Sequence, residues 1–267
     1  VLLAWALTLG AIIGSFLNVL IHRLPLGQNI AWPSSYCPHC HTPLKLWHNI
    51  PILSWLLLRG RCGYCGAPIG VRYIAVEIAS ITIFGSSYWL LGASLDALLF
   101  GVVFALLLAL SLIDWRYKAV PDSLNLTILA FALFANGHPL IALWYGLLFA
   151  GGFAMLRFVL SYYLYGKLRF LARDRLRTSW LAHYDILPSH EAMGEADIIV
   201  AATIGALLGV ELGVIAIFLA ALLSLPVALY RRHEDVQTPF VPFLALGAFV
   251  TFVMHEPLLR MLEAWYA

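Results

Sequence analysis

Charge is scarce in this chain: only 11% of its 267 residues are Asp, Glu, Lys or Arg, against roughly 25% in soluble domains. With 62% of residues hydrophobic, that shortage excludes a soluble globular enzyme. Cysteine is also rare, with four in all, every one between Cys37 and Cys65. The sequence contains no Rossmann-type glycine fingerprint, so no motif marks a nucleotide site. It also has no low-complexity tract and no internal repeat of about 20 to 50 residues. The formal net charge of +2 says little about partners, and no nucleic acid is expected among them.

What the chain does have is long apolar runs. Several reach about 18 residues or more, enough to cross roughly 30 Å of hydrocarbon. Read with their polar ends, they predict helices at 1–21, 74–92, 95–113, 123–137, 139–165, 196–211, 212–230 and 240–262. The expected fold is an all-α polytopic membrane protein of about eight transmembrane helices. Its expected parts are a first helix (1–21), a cytoplasmic insertion (22–73) and a membrane domain (74–267) with a cytoplasmic loop at 166–193. Six prolines between Pro25 and Pro68 rule out long helices in the insertion. The basic loop is expected to hold a short amphipathic helix around Leu168 to Leu181 at an anionic membrane surface.

Basic residues orient the molecule, because Lys and Arg near span ends stay in the cytoplasm. Fourteen of the sixteen lie in segments on one side, with Arg157 inside a helix and Arg260 near the opposite face. Both ends of the sequence should therefore face away from the cytoplasm. The first apolar run lacks a basic n-region and leads through Gly14-Ser15-Phe16-Leu17-Asn18 to Arg23; it reads as a retained helix, not a cleaved signal.

Cys37-Pro38-His39-Cys40 and Cys62-Gly63-Tyr64-Cys65 have the spacing of a four-thiolate zinc ribbon. In a reducing cytoplasm, paired disulfides are not expected. Redox-active dithiols and free thiols are the alternatives. Four thiolates would fill a tetrahedral zinc ion, making it structural, with His39 and His41 as surface residues. Gly63 and Gly66 are expected to allow the tight turns.

Two carboxylates fall at membrane depth. Asp114 ends the third hydrophobic run and Asp197 begins the sixth. A carboxylate at a bilayer centre costs about 2.5–3.5 kcal/mol, less near the interface, so such residues usually face water or protein. Both belong to cytoplasmic helix ends and can meet despite their separation in sequence. A close pair shares one proton, as aspartyl hydrolysis requires. The plain alternative is two interfacial aspartates that cap helices or pair with Arg116 or Lys118. Asp122 rivals Asp114, but Pro121-Asp122-Ser123 reads as a helix start with Asp122 near the N-cap. Ser111, Ser123, Asn125, Thr127 and Thr203 are candidates to line a polar cavity, although Ser and Thr in membrane helices commonly bond their own backbone.

The order of motifs resembles the bacterial prepilin peptidases, or type IV leader peptidases, of the GxGD intramembrane aspartyl proteases. Gly14 to Val19 and Arg23-Leu24-Pro25 come first. Asn49-Ile50-Pro51, Ser54-Trp55 and Leu58-Arg59-Gly60-Arg61 lie between the cysteine pairs, and Arg72-Tyr73 with Glu77 follows them. Ile113-Asp114, Pro121-Asp122, Gly194-Glu195-Ala196-Asp197, Gly205-Ala206, Gly209, Pro239-Phe240 and Pro242 to Gly247 complete the series. The resemblance implies that Asp114 and Asp197 are catalytic. It also implies cleavage of a basic leader from type IV prepilins or type II secretion pseudopilins at the cytoplasmic face of the bacterial inner membrane. N-methylation of the new terminus with S-adenosylmethionine is implied as well, associated with the cysteine-bearing segment; Glu77 is a candidate for cofactor or substrate amine, with an Arg-paired structural role as its alternative. Ala196 replaces the second glycine of GxGD, which predicts a more helical backbone before Asp197, and Ile74 stands where a proline often follows Arg-Tyr. A proton-coupled transporter using the two aspartates as a relay, and a noncatalytic membrane scaffold, are the alternatives from other classes.

Overall fold

The computed structural model describes residues 1–176, 194–231 and 238–266. Every regular element among them is helical. The helices are α1 (Leu2–Arg23), α2 (Leu53–Leu57), α3 (Val71–Leu91), α4 (Leu95–Tyr117), α5 (Asp122–Phe134), α6 (Pro139–Leu176), α7 (Glu195–Arg231), α8 (Val241–Val253) and α9 (His255–Tyr266). α4 is the centre, packing against α1 and α3 on one side and α5 and α8 on the other, while α7 packs against α5, α6 and α8. Its Phe104, Leu107, Leu110 and Ile113 are buried, and the Phe104 ring packs edge-on against Phe249 at 5.3 Å and tilted against Phe252 at 5.2 Å, both in α8.

Close approach explains the tight α1–α3 pair. A Cβ added at Gly14 would lie 2.8 Å from the Glu77 Cα, so only a residue without a side chain lets the helices touch there. Asn18 donates across the same pair to the Tyr73 carbonyl at 3.1 Å.

α7 is too long for one crossing. Its 37 residues would span about 55 Å, nearly twice the hydrocarbon thickness. Gly209, at φ 74° and ψ −170°, breaks it in a region open essentially to glycine alone. Both flanking stretches come back to one side chain, since added Cβ atoms at Gly205 and at Gly213 would each run into the Phe149 ring. Asn136 donates to the Ala206 and Leu207 carbonyls at 3.4 and 2.9 Å, satisfying acceptors freed before the break. Exposed Glu211 then belongs to a turn, not to the middle of a span. The break agrees with the expected separation of 196–211 from 212–230.

Among the described residues, five helices qualify as spans by length and apolarity, or six with α8 and α9 taken together. The sequence reading expected about eight; the difference is the short α5 and the counting of broken α7 once. Two further expectations change. α8 and α9 meet at 76°, so 240–262 is not one straight span. Residues 168–176 continue α6 and do not start a separate surface helix; 177–181 lie outside the described residues, as does most of the loop expected at 166–193.

Candidate active site

The end of the bundle that carries the cysteine segment also gathers the buried carboxylates. α4 delivers Asp114 at its C-terminal turn, and α7 begins beside Asp197. Each is 7% exposed, and the charge of Asp114 is felt at Asp197. Residues 83 positions apart in sequence are thus brought within electrostatic reach.

Backbone amides hold both side chains. Gly194 N–H donates to Asp197 Oδ2 at 3.2 Å, the half of a capping box in which the third helical residue reaches back to the N-cap. α8 begins beside Asp114, with the Val241 N–H near its carboxylate; Trp115 packs edge-on against Phe243 at 6.3 Å and holds these two ends together. No ion pair to either aspartate occurs among the described residues, so pairing with Arg116 or Lys118 is not what keeps Asp114 in place. Helix capping, the other plain alternative, does apply, and it coexists with the juxtaposition. The α-helix starting at Glu195 agrees with Ala196 in place of a glycine.

Asp122 is the first residue of α5, exposed and next to the N-cap Pro121, so a helix starts there as expected, without a side-chain capping bond. Of the polar candidates, Ser111, Thr127 and Thr203 donate to Leu107, Ser123 and Ile199 carbonyls of their own helices. Asn125 differs. It is fully buried, its Nδ2 donates 3.1 Å to the Ala196 carbonyl, and its Oδ1 has no partner. It therefore anchors the residue before Asp197 and leaves an acceptor beside it. Val241 had no assigned role in the sequence; the prolines at 239 and 242 were the only signal that a helix start lay there.

Two hairpin knuckles form the cysteine module. Cys37 N–H donates to Thr42 and Cys62 N–H to Ala67, at 3.0 and 2.8 Å. Gly66 takes φ 71°, and His41 holds the same place in the first knuckle at φ 55°; Gly63 needs no such conformation. All four Sγ atoms lie within 4.8 Å of one another, with Cys37 and Cys65 at 3.9 Å. Zinc–sulfur bonds of about 2.3 Å in a tetrahedron require S···S near 3.8 Å, so the thiols fit that ion. His39 is exposed and His41 stacks on Tyr36.

Glu77 has no arginine partner among the described residues. Its Oε2 accepts the Ile52 N–H at 2.7 Å, joining α3 to the cysteine module.

Two family models match in chain order: the bacterial peptidase A24 N-terminal domain over residues 8–91 and the type IV leader peptidase family over 101–229. The chain is similar to the prepilin leader peptidase/N-methyltransferase of Burkholderia pseudomallei strain 1026b, at 34% identity over 97% of this chain and 88% of that protein. It is similar to the proteins of the same description from Neisseria gonorrhoeae, at 30% over 97% and 93%, and Dickeya chrysanthemi, at 34% over 93% and 91%. No solved structure matches. The two domain matches in sequence, and an identity sustained from one end to the other, mean that this chain belongs to the prepilin leader peptidase/N-methyltransferase family.

Proposed function

We propose that Asp114 and Asp197 are the catalytic pair of an intramembrane aspartyl endopeptidase. On this reading, the enzyme removes the basic leader from type IV prepilins or type II secretion pseudopilins, after which the new N-terminal amine is methylated from S-adenosylmethionine. The observation that carries the reading is a pair of buried carboxylates at one end of the bundle, within electrostatic reach of each other and neither with an ion pair among the described residues.

One carboxylate, ionised, takes a proton from a water as the oxygen attacks the scissile carbonyl. The other, protonated, donates to the carbonyl oxygen. Their amide donors, Gly194 and Val241, keep each side chain oriented while the proton moves. The substrate's apolar helix lies in the bilayer, and the bond to be cut must unwind first, because helical hydrogen bonds shield the carbonyl. The distribution of Lys and Arg supports an active site facing the cytoplasm from the bacterial inner membrane, where the positive leader remains in water. In the division supported by this orientation, 1–21 is the first span, 22–73 the zinc module and 74–267 the peptidase domain with its loop at 166–193. Cys37, Cys40, Cys62 and Cys65 would hold a zinc ion, which would supply a structural cross-link and no chemistry.

The test is separate Asp114→Asn and Asp197→Asn replacement, with leader removal from a coexpressed prepilin followed in membranes. Each should lower cleavage by ~10²–10⁴-fold, the usual contribution of a positioned acid or base. Near-normal cleavage by either variant would remove that residue from the mechanism. Asp122→Asn is expected to keep substantial activity; its complete loss, with Asp114→Asn active, would move the first role to Asp122.

A further inference from the structure

The insertion after α1 is expected in water, yet one stretch of it is not built for water. From Trp47 to Leu58 it holds no Asp, Glu, Lys or Arg, and basic residues bracket the stretch, Lys45 before it and Arg59 and Arg61 after it. Apolar runs of about 10–14 residues are too short to span a bilayer and have the length of re-entrant or interfacial segments. α2 forms within this one. Ile50, Leu53, Leu56 and Leu57 are all exposed, Leu57 at 82%, while Ser54, Trp55 and Leu58 face inward on the recess between the module and α1 and α3.

A hydrogen bond gives the depth of the stretch. Ile52 N–H donates to Glu77 Oε2 at 2.7 Å. Glu77 is six residues past the start of α3, a drop of about 9 Å along the helix. A glutamate side chain and its hydrogen bond together span less than that, so Ile52 is held below the level at which α3 begins. The 21 residues of α3 measure about 31 Å, close to the thickness of the hydrocarbon, so everything beneath that level belongs to the bilayer. α1 agrees: Glu77 touches it at Gly14, nine residues before its end at Arg23, and Ile12 and Phe16 line the recess from the same side.

The main chain is prepared for such a place. Backbone groups in hydrocarbon have no water to bond, and the amides of Ile52, Leu53, Ser54, Leu56 and Leu58 are all paired, the first with Glu77 and the others with carbonyls between Ile50 and Ser54. Pro51 has no N–H to satisfy. At the near end, Lys45 Nζ lies 5.1 Å over the ring of exposed Trp47, a combination suited to the boundary between headgroups and water.

We propose that residues 50–58 are a re-entrant segment inserted in the adjoining membrane leaflet, with Leu53, Leu56 and Leu57 among the acyl chains and Lys45, Arg59 and Arg61 at the headgroups. Glu77 is its latch, pairing from α3 the one amide that the turn at Ile52 leaves over. The knuckles remain in water, and the module is moored to the bilayer as well as to the two spans.

The full chain is placed in nanodiscs whose phospholipid carries a photoreactive diazirine in the acyl chain, irradiated, and its labelled peptides are mapped by mass spectrometry. Label at 50–58 should approach that of α3 and exceed that of the knuckles, 36–43 and 61–68; label at 50–58 no higher than at the knuckles overturns the insertion. With p-benzoylphenylalanine in place of Leu57, the expected photoproduct is a phospholipid adduct, and in place of Tyr64, exposed on the second knuckle, none. An adduct from position 57 with a second copy of the chain, or with another protein in native membranes, and none with lipid would make this face a protein-docking surface and reject the proposal. A Leu56→Glu, Leu57→Glu double variant should expel the segment and speed trypsin cleavage after Arg59 at least ten-fold in nanodiscs. Unchanged cleavage of a monodisperse variant counts against insertion, and if the variant does not fold, the wild-type label map still decides.

Discussion

Asn125 shows what a single buried amide does here. Its donor is committed to the Ala196 carbonyl, and its acceptor is sealed from solvent without a partner. Asn125→Leu removes the donor and takes from the Ala196 carbonyl the bond it makes outside its own helix, at a cost of about 0.5–1.5 kcal/mol. Because that carbonyl precedes Asp197, the variant should lose cleavage as well as stability. Leader removal is expected to fall more than ten-fold, with a lower thermal midpoint in detergent. A variant with the lower midpoint but full cleavage would limit Asn125 to folding. This contact was not legible beforehand, because 71 residues separate the partners and a lone Asn in an apolar run gives no sign of which backbone it meets. The aspartates were legible as candidates because charge in hydrocarbon is expensive wherever it occurs. Their backbone donors were not, since an amide carries no residue signature.

At the scale of single helices, apolar runs were enough to find most of the spans but not their ends. α4 continues through Asp114 to Tyr117, past the expected end at 113, because a carboxylate capped by a neighbouring helix no longer ends the run. α3 starts at Val71, three residues before the expected start. The α7 break was readable from Gly209 and Gly213, whereas the sharp α8–α9 bend was hidden in a continuous apolar stretch. Gly209→Leu tests the break. A bulky L-residue at that φ should cost about 1–3 kcal/mol, and the yield of monodisperse protein should drop sharply. Asn136→Leu should show a smaller loss, since it strips the bonds to Ala206 and Leu207 but leaves the turn. Equal yields for Gly209→Leu and wild type would mean that the turn tolerates a side chain.

For the whole molecule, the cysteine module is a small folded body with little core of its own, attached through Glu77 and the ends of α1 and α3. Metal analysis of purified protein should find about one zinc per chain, and Cys37→Ser should lower that content sharply, since one lost thiolate opens the shell. Methyl transfer should suffer first, because the family resemblance associates that reaction with the cysteine-bearing segment, while cleavage at the aspartates should be less sensitive. A metal-free preparation that remains folded and performs both reactions would refute a structural need for the ion. The gathering of four thiols was legible from their spacing; the module's docking on α3 was not, because Glu77 bonds a main-chain N–H and so has no complementary side chain to find.

The fold-back of α7 at Gly209 also decides which way the molecule is open. The connections at 92–94 and 135–138 and the α7 turn are all short, so that rim is closed by tight bends, while the basic segments and the cysteine body leave from the opposite rim. On the proposed reading, a polypeptide to be trimmed would present its soluble tail from one compartment only, and processing would be one-sided by construction.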